Sequence, residues 1–196
     1  MGGKQTAKWI QLSFGMVIVA VVIAGLWAAV QAQTSGGPQG KSPYVLTDTG
    51  GGPQSAQLVI PDRIGAMRLL DSQRGKEAVA QINKLHGTDV GIDDGYIASY
   101  VGGGNQVMLW VARTASPNEA KRLIDLMNEK SKASSSSASA VFTDLQDLQK
   151  EGKTIYTVVG QGQKHYYYQT SAKVIWLAVS GPDPQDVLPR VLTYVG

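Results

Sequence analysis

The stretch "GYIASYVGGGNQVMLWVART", Gly95 to Thr114, holds two apolar-rich runs on either side of Gly102-Gly103-Gly104-Asn105. Short β-rich runs flanking a Gly/Asn turn are a strong hairpin signal. In the second run Val107, Leu109 and Val111 point one way and Met108, Trp110 and Ala112 the other, because side chains alternate along a strand. Both faces of this hairpin are therefore partly covered, and it is the seed of a sheet.

Upstream, Ala66–Leu70 reads as a short strand, and "SQRGKEAVAQINKLHG" puts Ala78, Ile82 and Leu85 on one helical face. Ser72 is a candidate cap for that helix and Gly87 stands at its terminating position. Downstream, "SPNEAKRLIDLMNEK" opens with Ser116 as cap, Pro117 in the first helical position and Glu119 completing a capping box. Ala120, Leu123, Ile124 and Met127 follow at helical spacing.

The low-complexity segment "KASSSSASA" at 132–140 has nothing to bury and reads as a surface loop. After it come three strand candidates, Thr154–Val159, His165–Gln169 and Val174–Val179, joined by turns short enough to require antiparallel neighbours. A last helix spans Pro184 to Tyr194 with Val187, Val191 and Val195 in one stripe and Pro189 as a kink or restart. This order predicts the α+β class: an antiparallel sheet of five or six strands with helices packed on one face, partly ferredoxin-like in its first half.

The N-terminal part is of another kind. From Ile10 to Val30 the chain reads "IQLSFGMVIVAVVIAGLWAAV", uncharged, with Gln11 and Ser13 as its polar residues. Some 21 residues at about 1.5 Å each reach roughly 30 Å, the thickness of a bilayer's hydrocarbon core, and exceed the 7–15 residues of a typical cleaved signal. A transmembrane helix over residues 9–31, acting as a signal-anchor, follows. Lys4 and Lys8 before it place residues 1–8 in the cytoplasm, with Trp9 and Trp27 near the two interfaces. On its surface Ala20, Ala24 and Ala28 recur every four residues beside Gly25 and Ala29, a spacing that lets a second membrane helix approach closely. Residues 32–57 carry "GGPQ" twice among Ser, Thr and Gln, a spacer that sustains neither helix nor strand. The domain at 58–196 is thereby expected outside the cytoplasm, on a single-pass anchor in the cell's inner membrane.

Composition narrows the function. The chain has no cysteine, which removes disulfides, thiolate zinc sites, iron–sulfur clusters and covalent haem. Two of its 18 basic residues precede the apolar run, so the remainder nearly balances the 15 acidic ones and offers no basic footprint for nucleic acid.

Motifs for chemistry are missing as well. The glycines of "VGGGNQV" lead into a strand instead of a helix N-terminus, so they make a turn and not a phosphate cradle. Asp93 and Asp94 are adjacent acids in a turn without the alternating calcium-loop pattern. His86 closes a helix and His165 opens "HYYYQ"; two histidines without a carboxylate cluster are a poor metal site. No catalytic residue, metal or cofactor is assigned.

The aromatic group Tyr166, Tyr167, Tyr168 and Trp176 is the candidate protein interface, with Tyr167 facing away from its two neighbours. The expected role is a non-catalytic accessory or stabilising subunit of a larger membrane protein complex, with respiratory and photosynthetic electron-transfer complexes as candidate hosts. Its expected partners are the lipid bilayer and the other subunits. A ligand-binding or sensory envelope domain is the alternative. An extracytoplasmic enzyme would require His86 or His165 beside an acid in a pocket.

Overall fold

The computed structural model describes residues 57–135 and 141–195. The expected membrane helix, with Ala20, Ala24, Gly25, Ala28 and Ala29, and the spacer up to residue 56 lie outside them. No helix among the described residues is long and apolar enough to cross a membrane.

Leu58 onward forms one compact unit. Its elements are β1 (Arg63–Ile64), β2 (Met67–Arg74), α1 (Lys76–His86), β3 (Ile92–Gly102), β4 (Asn105–Thr114), α2 (Pro117–Ser135), β5 (Thr143–Lys150), β6 (Lys153–Gly160), β7 (Gln163–Thr170), β8 (Lys173–Ser180) and α3 (Pro184–Val195). They build a single eight-stranded sheet in the order β1-β2-β3-β4-β8-β7-β6-β5, every neighbouring pair antiparallel. After β4 the chain crosses through α2 to the far edge. It then meanders back so that β8 closes against β4.

The expected five or six strands on one-sided helices are corrected on both counts. The two extra strands are edges. β1 is two residues long, and β5, "TDLQDLQK", has no buried residue and hence no alternation of apolar and polar positions to announce it. The helices cover both faces. Val187, Leu188, Val191, Leu192 and Val195 of α3 bury against Tyr96, Leu109, Ile175 and Leu177 on one face. Ala78 and Ile82 of α1 and Ala120, Leu123, Ile124 and Met127 of α2 bury against Ile97, Trp110, Ala112 and Tyr167 on the other.

The hairpin at the centre forms as its sequence implies. Gly102 pairs with Asn105, leaving Gly103 and Gly104 as a two-residue loop, both at positive φ, the backbone that a type I′ turn demands. Ser116 Oγ accepts the Glu119 amide at 3.2 Å and caps α2, while the Glu119 carboxylate turns to Arg122. Ser72 does not cap α1: it lies within β2, and Gly75 with φ 66° occupies the N-cap position. Gly87 ends α1 in the left-handed conformation as expected. The α2 helix runs on through Ser135, into the stretch read as a Ser-rich loop, and Pro189 is accommodated within α3.

Candidate functional site

The register draws one row of side chains across the α1/α2 face: Tyr156, Tyr167, Trp176, Trp110 and Ile97 stand directly opposite one another on β6, β7, β8, β4 and β3. Tyr167 stacks on Tyr156 at 5.4 Å and on Trp176 at 4.9 Å between ring centroids. Its hydroxyl donates to Asn128 Oδ1 of α2 at 2.8 Å. Tyr166 and Tyr168 face the α3 side, as alternation requires.

All three tyrosines are buried, which corrects the expectation of an exposed aromatic surface here: they are the cores of the two faces. Burial raises each phenol's pKa above the ordinary range. Trp176 alone of the four candidates is half-buried.

His165 sits in the same layer, 1% exposed. Its Nε2 lies 3.2 Å from the Gly160 carbonyl, and its Nδ1 accepts the Trp176 indole N–H at 3.1 Å. Those two bonds fix the neutral Nε2–H tautomer. Phe142 meets the imidazole edge-on at 5.1 Å. Desolvation, opposed weakly by the Gly160 carbonyl, lowers the ring's pKa to about 4. His86, at the end of α1, is likewise lowered to about 4 by burial and by the nearby Lys130. Neither imidazole has a carboxylate among its hydrogen-bond partners in the described residues. Asp94 is paired with Arg113 at 3.4 Å, Asp93 is exposed, and no group of three His, Asp or Glu in the described residues could hold a metal ion.

The least covered part of the sheet among the described residues is on the α1/α2 face, and helix length explains it. The 11 residues of α1 extend about 16 Å, whereas the 11 residues of β3 extend about 37 Å. α1 packs over the end of β3 marked by Gly95, where Ile82 Cδ1 comes within 3.3 Å of a Cβ placed on that glycine. The other half of β3 is beyond its reach. The 19-residue α2 packs over β5, β7, β8 and β4 and leaves Ser99 and Val101 of β3 half-buried.

The uncovered strip consists of Ser99 and Val101 on β3, Gln106 and Met108 on β4, and Trp176 and Ser180 on β8. Each is half-buried or exposed although these are the central strands. Ser99 is opposite Met108, and Gln106 lies between Val101 and Ser180, so these five are contiguous, while Trp176 lies beyond Ala178, which is buried opposite Met108.

Polar atoms at the strip lack partners among the described residues. Ser99 Oγ, Trp110 Nε1 and Gln163 Oε1 are buried without a hydrogen bond, while Gln163 Nε2 donates to Ser180 Oγ at 2.8 Å. Trp110 and Gln163 are each 7% exposed. Gln81 Oε1, Tyr96 Oη, Asn105 Oδ1 and Tyr168 Oη are likewise buried without a partner elsewhere among the described residues.

The sequence grouped Trp176 with its stacked neighbour Tyr167 but did not point to Ser99, Val101, Gln106 or Ser180. Met108 and Trp110 were legible as one face of β4; that the face is open at Met108 depends on where α1 stops.

No known protein family matches the chain, and no curated protein matches it. Among solved structures, a GTP binding regulator from Thermotoga maritima is similar with a TM-score of 0.43 at 13% identity over 65% of this chain and 76% of that one. The extracellular domain of PknH from Mycobacterium tuberculosis is similar with a TM-score of 0.44 at 11% identity over 72% of this chain and 93% of that one.

Proposed function

We propose that residues 58–196 are a non-catalytic interaction domain, held at the outer side of a membrane by the apolar segment 10–30, and that the domain serves as an accessory part of a larger membrane assembly. The observation that carries this reading is the uncovered strip. Along the α1/α2 face the central strands are buried at Ile97, Trp110, Ala112, Val174 and Ala178, and half-buried or exposed at Ser99, Val101, Gln106, Met108, Trp176 and Ser180. An apolar patch with a polar rim on an otherwise covered sheet is the usual form of a protein contact.

Solubilising the source membranes in mild detergent and sizing the particle that carries the chain tests this. The expected result is a particle larger than the chain's own 20.8 kDa that loses it when Met108→Lys is introduced. The exposed Gln106→Trp serves as a second variant that cannot disturb the core. A single chain, unaffected by either substitution, overturns the reading.

The mixed lining of the strip, Val101, Met108 and Trp176 beside Ser99, Gln106 and Ser180, also favours a second reading, a small ligand with hydrogen-bonding groups taken up there. That ligand would raise the domain's melting temperature by mass action in the absence of any partner protein.

A further inference from the structure

At the β1–β2 edge of the open face two arginines stand opposite each other. Arg63 pairs with Arg68 in the antiparallel register. Ile64 and Met67, their chain neighbours, are buried on the α3 side, so both arginines project on the α1/α2 face. Both are exposed, and neither forms an ion pair among the described residues.

Like charges directly opposed across two strands disfavour the pairing, with Cβ atoms only about 5 Å apart. The register continues from Arg68 to Val101, Gln106 and Ser180, straight across the open strip. A positive end is thus joined to a half-apolar floor that ends at Met108 and Trp176. The carboxylate on this face is Asp71, opposite Ser99 on the same strand as Arg68, and it bonds to neither guanidinium.

The dimensions set the size of the occupant. From β2 to β8 are three strand spacings, about 14 Å, and the offset along the strands from Val101 to Ile97, the row of Trp176, adds about 13 Å, for a diagonal of about 20 Å. Extended polypeptide covers that distance in about six residues.

Resting on the reading that this strip is a protein contact, we propose that its occupant is an extended acidic segment of a partner protein, whose carboxylates meet Arg63 and Arg68 and whose apolar side chain lies against Met108 and Trp176. The guanidinium forks take carboxylates in bidentate pairs, and bringing in the acid relieves the repulsion between the two arginines.

The test uses the full chain in its native membrane. In the variant Arg63→Lys/Arg68→Lys the charges remain but become primary amines, which a carbodiimide couples to carboxylates at zero length. The expected product is a cross-link from these positions to an Asp or Glu of another polypeptide, in a segment with an apolar residue within about six positions. In parallel, Arg63→Gln/Arg68→Gln should weaken retention of the chain in the assembly at least tenfold, with retention of the unsubstituted chain falling as salt rises.

Cross-links confined to Asp71, or full retention of the Gln variant, overturn the proposal. If Met108→Lys releases the chain while the Gln variant does not, the acidic segment is rejected and the interaction domain stands. If neither releases it, both fail. Carbodiimide coupling of added decanoate to the two lysines, with no cross-link to another polypeptide, also overturns the proposal, in favour of a small amphiphile.

Discussion

His165 shows how one residue's chemistry is set by what surrounds it. An imidazole with Nδ1 accepting from Trp176 and Nε2 facing a carbonyl has no room for a second proton, since a charged ring would turn an N–H toward the indole N–H. Burial is the main cause, the Gly160 carbonyl opposes it weakly, and the folded ring's pKa is lowered to about 4. An unfolded histidine titrates near 6.5, so below that pH the unfolded chain takes up a proton that the native one refuses. Stability is therefore full above pH 6.5 and is lost as the pH falls toward 4, by on the order of 3 kcal/mol for His165. His86, shifted in the same direction, adds to the slope. Urea midpoints measured from pH 7.5 to 5 should fall in the native chain and flatten in His165→Gln/His86→Gln; equal slopes would contradict this assignment. Tyr167 offers an independent check. Tyr167→Phe keeps the stacked rings but leaves Asn128 Oδ1 without its donor, an expected loss of about 1 kcal/mol, read as a melting temperature lower by about 2–4 °C. That Tyr167 opposes its neighbours was legible from alternation. That all three tyrosines are interior was not, because the pattern Tyr-Tyr-Tyr is the same for a strand buried on two faces and one exposed on one.

At the scale of elements, local signals carried as far as local physics does. The central hairpin, the Ser116 cap, the buried stripe of α2 and the left-handed Gly87 each follow from interactions within a few residues, and each is where the sequence puts it. β5 was invisible because its eight residues bury nothing; only pairing with β6 makes it a strand. The second face of the sheet was half legible. Val107, Leu109 and Val111 against Met108, Trp110 and Ala112 already implied cover on both sides, and α3 supplies the second layer. Two further hairpins turn on Glu151-Gly152 and Gln161-Gly162, where the first residue holds φ 52° in each. Left-handed backbone is costly for side chains other than Asn, Asp and Gly. Gln161→Asn and Glu151→Asn are each expected to stabilise the domain by about 0.5 kcal/mol, seen as a higher urea midpoint at unchanged slope. A drop in either midpoint would show that the side chain replaced is making contacts elsewhere.

For the whole molecule, the decisive relation is between one short helix and one long strand. Because α1 ends well before β3 does, part of a central face is left only half-covered by the described residues, and the strip from Ser99 to Trp176 lies there. No window of sequence contains this fact: it depends on a register that brings β3, β4 and β8 side by side over 80 residues of chain. The apolar segment 10–30 and the cysteine-free, near-neutral remainder were legible from composition, and they motivate the tethered accessory role that the strip would serve. The most direct measurement is the mass of the detergent-solubilised particle carrying the full chain, taken side by side for the unsubstituted protein and for Gln106→Trp. The account expects a multi-chain particle for the first and a free chain, still folded, for the second. A particle of the same mass in both, whether single or multi-chain, would contradict it.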